Sequence, residues 1–446
     1  MNSTGTYKDV YRGINGDLVK GMLERDIKMI RDALEAGADP NVKVSSCCNI
    51  LGWACSFISQ EESTEAIRLL LEHGADIRQA EKDPKNLPLN IAVSKNNTEA
   101  VRMLIEAGAD LNAADYMGNT PLDIAAAYDH SIITELLVKA GADTGIQNSR
   151  GMCPFIIAVH NASSKSACIL AAATPDIKEK VIAFEKTRMG NFLPLVAIVA
   201  RSMCPKTMKI ILEYGLDPET RQEQLNIALL EISKTYVRSQ GAGETTELLI
   251  DAGADVNAAH PNKNTPLQGA VFNNREDMVR LLLDAGADVN FTGTSLWPPL
   301  HIAIERGRPE MIRILLEHGA DPNAISPDGY PLLCTAIKTK ATKAVPLLLK
   351  SGADPNKADR NLRTPLNWAA GAPLIGLMRM LIKAGGDLYI KNSAGRDALE
   401  VMEYYRSDKY REYKDELKEL QLKSLGKRLR HEDSRILSKT NFEFDI

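Results

Sequence analysis

The sequence predicts an all-α protein in which one small helix pair is repeated and stacked into a solenoid. The tripeptide Gly-Ala-Asp recurs every 33 residues in the second half of the chain, beginning at Gly253, Gly286, Gly319 and Gly352. A fixed period of this length indicates stacked copies of one unit rather than a single globular core. Thr-Pro-Leu sequences recur between these tripeptides, and the apolar residues around them follow helical spacing.

The stretch Gly253–Asp288 shows how one unit is expected to fold. Thr265 can cap the free N–H groups at a helix start, and Pro266 suits the first helical position. A turn then leads to a second apolar stripe, Met278–Leu283, which predicts the second helix. Gly286 can take the left-handed conformation that ends a helix. Such a pair cannot bury its apolar faces alone, so copies must stack.

These residues resemble the repeats of ankyrin-repeat proteins. The family signature Thr-Pro-Leu-His-x-Ala is similar to the stretch Pro298–Ala303, and its first half recurs at Thr120, Thr265 and Thr364. The resemblance implies helix-turn-helix repeats with extended, β-hairpin-like fingers, curved to give a concave face. It also implies that the chain binds another protein, because ankyrin stacks are recognition platforms and rarely catalysts.

Read in order, the chain is expected to hold about twelve repeats, both end caps included. Residues 1–39 form a capping repeat, and Asn49 replaces threonine at the entry of the second repeat. The middle departs from the pattern, since Thr174 stands where a terminal glycine is expected. There we expect Ile177–Met189 to be a longer, charged connection and Gly241-Ala242-Gly243 to be a flexible loop.

This reading divides the chain into four segments. The predicted segments are an N-terminal ankyrin stack (1–174), irregular repeats (175–250), a regular C-terminal stack (251–403), and a C-terminal capping helix with a tail (404–446). The run Tyr404–Leu429 is expected to be helical, and His431–Ile446 to be frayed. Four leucines of this run are expected to dock on the last repeat: Leu417, Leu420, Leu422 and Leu425.

Composition narrows the class of protein. Hydrophobic residues (44%) and charged residues (25%) are those of a soluble folded chain. The net charge of −4 argues against a general nucleic-acid binder. No secretory signal is visible at the N-terminus, and no apolar run approaches the roughly 20 residues of a membrane span. Seven cysteines without a C-x-x-C pair indicate a reducing compartment, in which Cys153, Cys168 and Cys334 act as small core residues. We therefore expect a cytoplasmic protein.

No pattern in the sequence indicates catalysis, a cofactor or a metal site, so we predict that the protein is not an enzyme. His301 fills the signature histidine, which in the ankyrin family helps to hold the finger. Cys153 begins a predicted helix, but His160 is seven residues away, about 10 Å along the axis, which is too far for its base. Cys47-Cys48 with Cys55 lacks a second pair at zinc spacing.

The predicted function is a protein–protein interaction scaffold or adaptor. In the ankyrin family, variable finger and first-helix positions face the partner, and the last five repeats supply 25 such positions with five aromatic residues, where the chain average of 5% predicts about one. Five positive charges against two negative ones suggest an acidic protein partner. The predicted partner-binding residues are Phe272, Trp297, Arg306, Tyr330, Lys338, Arg360, Arg363 and Arg396.

Two other hypotheses stay open at this point. The chain could be an ankyrin-repeat effector that an intracellular bacterium delivers into a host cell, and its location would then be the host cytosol. It could also be an enzyme with a site in the irregular middle, residues 177–250, although two repeat helices leave little room there for a catalytic domain. The sequence names neither the partner nor the oligomeric state.

Overall fold

The computed structural model describes residues 13–45, 48–57, 60–77, 87–187, 193–235, 241–259, 264–293, 296–372, 374–405 and 411–426. The described chain is α-helical, apart from one short antiparallel strand pair and one isolated bridge between Ile325 and Pro331. It divides into two compact units, Met1–Ala228 and Leu229–Ile446. No helix among the described residues is both long and apolar enough to cross a membrane.

The first unit is built mainly of helix pairs that pack on the pairs before and after them. Its elements are α1 (Ile14–Glu24), α2 (Ile27–Glu35), β1 (Lys43–Ser45), β2 (Cys48–Asn49), α3 (Ile50–Cys55), α4 (Gln60–Glu72), α5 (Pro88–Ser94), α6 (Thr98–Glu106), α7 (Pro121–Ala127), α8 (Ser131–Lys139), α9 (Pro154–His160), α10 (Ser164–Ala173), α11 (Ile177–Thr187), α12 (Leu195–Ser202) and α13 (Pro205–Tyr214).

The second unit continues the same arrangement. Helix α14 (Arg221–Ser233) begins in the first unit and ends in the second. The remaining helices are α15 (Gly241–Asp251), α16 (Pro266–Phe272), α17 (Glu276–Asp284), α18 (Pro299–Glu305), α19 (Pro309–Glu317), α20 (Leu332–Lys338), α21 (Ala344–Lys350), α22 (Pro365–Gly371), α23 (Ile375–Lys383) and α24 (Ala398–Tyr404), followed by a helical segment at 411–426. The first helices of successive pairs, α16, α18, α20, α22 and α24, pack in one row.

The helix starts form where the sequence predicts them. The Thr265 hydroxyl accepts from the backbone N–H of Gln268, and the Gln268 side chain accepts from the backbone N–H of Thr265. This reciprocal capping box satisfies two N–H groups that the helix cannot bond itself. The same box begins three other helices, at Thr120/Asp123, Thr364/Asn367 and Asp397/Glu400.

The terminal glycines of the repeats serve two different purposes. Gly286 has φ 88° and nothing packs within 4 Å of its missing Cβ, so glycine is there for its left-handed backbone alone. Gly215, in contrast, has φ −120° after α13. A Cβ at Gly215 would collide with the Ile211 side chain. The repeat that ends at Gly215 therefore needs a glycine for space and not for conformation.

Asparagine side chains link several repeats to the repeat that follows. In every case the Oδ1 atom accepts from the backbone N–H of the aspartate that lies two residues after the next terminal glycine, at 2.6–2.9 Å. Four of these side chains also donate from Nδ2 to the carbonyl of that glycine, at 3.0–3.3 Å. The members of this asparagine ladder are Asn41, Asn112, Asn257, Asn290, Asn323 and Asn356.

The irregular middle is more helical than the sequence pattern suggests. The prediction of a connection at Ile177–Met189 is wrong for residues 177–187, which form α11 with Val181 and Phe184 buried. The prediction of a flexible loop at Gly241-Ala242-Gly243 is also wrong, because these residues begin α15 and Ala242 is fully buried. The division into four segments stays a prediction, as does the count of twelve repeats.

The helical segment 411–426 packs on α23 with fewer leucines than expected. Leu417 is buried, but Leu422 and Leu425 are exposed. Polar contacts complete the docking instead: Arg379 donates twice to the Glu416 carboxylate, at 2.7 and 2.8 Å, and the Ser424 hydroxyl donates to the Ile382 carbonyl. The expected helix end at Leu429 and the tail His431–Ile446 lie outside the described residues.

Candidate binding surface

The residues selected from the sequence come from equivalent positions of successive repeats in the second unit. One set lies directly before the helix caps: Trp297, Tyr330, Arg363 and Arg396. The other set lies at the ends of the first helices: Phe272, Arg306 and Lys338. Because the first helices pack in one row, both sets fall along that row. We call these side chains, together with Trp368 and Tyr404, whose rings lie under Arg363 and Arg396, the cation–aromatic surface.

The first contact of this surface joins two repeats. Phe272 ends α16, and the Arg306 guanidinium lies over its ring with Cζ 3.8 Å from the ring centroid. Phe272 is half-buried, whereas Arg306 is exposed. A guanidinium stacked on a ring keeps its N–H edge free for hydrogen bonds to an anion.

Trp297 and Tyr330 each stack within their own repeat. The Trp297 ring lies against the His301 imidazole with 4.5 Å between centroids. Burial lowers the pKa of His301, and the Glu305 carboxylate, whose Oε1 is 3.4 Å from Nε2, opposes that effect in part. His301 is therefore mainly neutral at pH 7 and adds no charge to the surface. The Lys338 ammonium lies 3.9 Å from the centroid of the Tyr330 ring.

Trp368 connects these contacts, and the sequence reading missed it. Its ring packs edge-on against Tyr330 at 5.9 Å between centroids, and the Arg363 guanidinium lies over it at 4.0 Å. The indole N–H donates to Asp359 Oδ2 at 3.1 Å, and Arg363 Nε donates to the same oxygen at 2.9 Å. Asp359 is buried, so it holds both side chains in place and neutralises part of the Arg363 charge.

Two arginines of the predicted set play different roles. The Arg396 guanidinium lies 3.6 Å from the centroid of the Tyr404 ring, and Tyr404 packs edge-on against Tyr405. Arg360 instead donates from Nη2 to the carbonyl of Pro327 in the preceding repeat, at 3.0 Å. Arg360 thus ties neighbouring loops together, and it does not take part in the cation–aromatic stacking.

The row of packed first helices, the glycine-terminated second helices and the asparagine ladder agree with one family. The family model for ankyrin repeats, in three copies, matches residues 19–115, 51–148 and 235–326. The chain is an ankyrin-repeat protein. These matched ranges leave out residues 1–18, 149–234 and 327–446, and the second of these segments holds the extra helix α11. Among curated proteins, no match was found.

Three of the histidines and cysteines of this ankyrin-repeat protein, His73, His318 and Cys153, occupy structural positions. His73 and His318 each donate from Nδ1 to a backbone carbonyl one turn earlier, at 2.8 Å. Cys153 is fully buried, and burial raises the pKa of its thiol, which disfavours the thiolate that a nucleophile needs. Cys168, expected in the core, is exposed instead. The described residues include no group of three or more His, Cys, Asp or Glu placed to hold a metal ion.

Proposed function

We propose that this ankyrin-repeat protein is an interaction scaffold or adaptor whose cation–aromatic surface binds an acidic segment of a partner protein. One observation carries the proposal: four cations lie over aromatic rings along consecutive repeats, in the pairs Arg306/Phe272, Lys338/Tyr330, Arg363/Trp368 and Arg396/Tyr404. Ankyrin repeats are in general protein-interaction modules. Aromatic residues and arginine are also the side chains that contribute most to protein interfaces.

The stacking prepares these cations for binding. A lysine or arginine that is free in solution loses side-chain entropy when a partner orders it. Each stacked side chain already lies against a ring at 3.6–4.0 Å, so less entropy remains to be lost. The arginines among them can then donate two hydrogen bonds to a carboxylate in the bidentate geometry.

The repeated spacing favours an extended partner segment. The contacts recur once in each repeat, so carboxylates spaced along a peptide can meet cations from several repeats. The charge of the surface also accelerates association with an acidic partner, and salt weakens that effect.

The test is to replace Trp297 and Arg306 by alanine in two separate variants. The affinity of each variant is then measured for a partner recovered with the wild-type chain. We expect the affinity to fall at least about tenfold, and its salt dependence to decrease with the arginine removed. Lys350→Gln serves as the control, because Lys350 is an exposed cation at the end of the second helix α21. Unchanged binding in both variants, with binding lost in Tyr128→Ala, would place the site on the first unit.

The effector hypothesis concerns the source of the chain and predicts the same surface with a host protein as partner. The enzyme hypothesis has no comparable observation in its favour. Within 177–250, the described residues fold into helices α11 to α15, and the cysteine there, Cys204, is only partly exposed.

A further inference from the structure

The cation–aromatic surface ends in a pocket. A cavity of about 470 Å³ lies among α20, α22, α24 and the loops that precede α22 and α24. This volume is in the range of sites that enclose a side chain or a small ligand. Carboxylates alone could bind to cations on a flat surface, so the cavity points to an additional group on the partner.

The walls of the pocket are aromatic. Trp368, Tyr404 and Tyr405 line it. Tyr404 is 58% exposed and Tyr405 is 63% exposed, which is high for adjacent aromatic residues at the end of one helix. The Trp368 nitrogen is already bonded to Asp359, so the indole offers its apolar ring to the cavity. A second aromatic ring can pack offset or edge-on against such walls.

The charged residues of the lining are all cations. Lys338, Lys340, Arg363 and Arg396 line the cavity, and none of its lining residues is acidic. Asp359 bonds Arg363 but does not line the cavity. The lining thus carries four cations and no carboxylate, and Asp359 offsets part of the Arg363 charge, so an occupant with negative charge is favoured.

We propose that this pocket anchors the partner segment by taking up one aromatic side chain that is flanked in sequence by carboxylates. The aromatic ring packs between Trp368 and the two tyrosines, and the flanking carboxylates pair with Arg396 and Lys338 at the rim. This inference rests on the proposed function, because it names the anchor of the acidic segment bound there. It also goes beyond that function, because a segment with carboxylates alone would leave the aromatic walls of the pocket without a partner ring.

The experiment uses three labelled peptides, Glu-Glu-Phe-Glu-Glu, Glu-Glu-Ala-Glu-Glu and Gln-Gln-Phe-Gln-Gln, with binding to the full chain followed by fluorescence anisotropy. We expect the first peptide to bind at least about tenfold more tightly than either of the others. In a variant with Trp53→Phe and Trp297→Phe, Trp368 is the only tryptophan. The emission of Trp368 should then change with the first peptide only.

Two substitutions test the location. Tyr404→Leu and Arg396→Gln should each weaken the binding of the first peptide at least about fivefold. Lys383 is an exposed cation at the end of α23 that does not line the cavity, so Lys383→Gln should leave the affinity for this peptide unchanged. Circular dichroism of each variant checks that the fold is kept.

Two results would overturn the inference. Equal binding of the phenylalanine and alanine peptides would show that the pocket takes no ring. Loss of peptide binding in Arg306→Gln, together with unchanged binding in Tyr404→Leu and Arg396→Gln, would leave the proposed surface standing and remove the anchor from this pocket.

Discussion

Asp123 holds a carboxyl group where the capping boxes of Thr265 and Thr364 carry amides. It closes the capping box of Thr120, as Gln268 and Asn367 do for Thr265 and Thr364. Burial, only partly offset by hydrogen bonds from Thr120, raises the pKa of Asp123 to about 7. The folded chain therefore keeps this proton between about pH 4 and pH 7, where the unfolded chain has lost it.

The first prediction concerns that proton. The contribution of Asp123 to stability is full below about pH 4 and is lost as the pH rises through about 7, so the free energy of unfolding falls across this window. Asp123→Asn should raise stability at pH 7 by up to about 4 kcal/mol and flatten this dependence. Urea unfolding at pH 5 and pH 8 measures both. Asp397→Asn, in a partly exposed capping box, is the control, and it should change neither the stability at pH 7 nor its pH dependence. A pH dependence that survives Asp123→Asn would contradict the assignment.

Gly286 supplies a second prediction at the same scale. Valine resists the positive φ of this position, so Gly286→Val should lower the free energy of unfolding by about 1–3 kcal/mol. Gly376 provides a matched comparison, because it lies inside α23 with ordinary φ and open space around it. Gly376→Ala should stabilise by up to about 1 kcal/mol. If Gly286→Val unfolds at the wild-type urea concentration, the left-handed cap is not needed.

Among elements, the asparagine ladder is the clearest case of one side chain serving two repeats. Asn323 accepts from the Asp354 N–H at 2.7 Å and donates to the Gly352 carbonyl at 3.0 Å. Asn323→Ala should therefore lower the free energy of unfolding by about 1–2 kcal/mol. Asn323→Asp keeps the acceptor and loses the donor, so about half of that loss is expected. If the wild-type protein, Asn323→Ala and Asn323→Asp were equally stable in urea, water would replace both hydrogen bonds of Asn323 without cost.

The helices and their ends also show what the sequence can and cannot predict. The 33-residue period predicts the regular helix pairs, the glycine ends and the Thr265 cap, because each depends on local chemistry that repeats. It cannot predict α11, whose Ile177, Val181 and Phe184 have helical spacing but no counterpart in other repeats. The role of Trp368 could not be predicted from the sequence for a related reason. It depends on the hydrogen bond to Asp359 and on the contact with the Tyr330 ring in the preceding repeat.

For the molecule as a whole, the ladder is interrupted at three positions. Arg78, Gly145 and Glu219 stand where it needs asparagine, two residues after Asp76, Asp143 and Asp217, and Glu219 lies shortly before the division between the two units in the sequence. Coupling between neighbouring repeats decides how a repeat array unfolds. We therefore predict that the two units unfold in separate transitions. Single-tryptophan variants that keep Trp53 or Trp368 report on one unit each, and their urea transitions should differ in midpoint. One shared transition, matched by circular dichroism, would show a single cooperative array.

The ladder also makes the length of the array adjustable. Each bond from an asparagine to the next aspartate joins the same two chemical groups, and the rungs that begin at Asn257 and Asn290 have equal lengths within 0.1 Å. Excising residues 288–320 would join Ala287 to Asp321 and let Asn257 bond to the Asp321 N–H, so the junction would be remade. The number of repeats, and with it the number of partner contacts, can thus change by whole units while the fold of the rest persists.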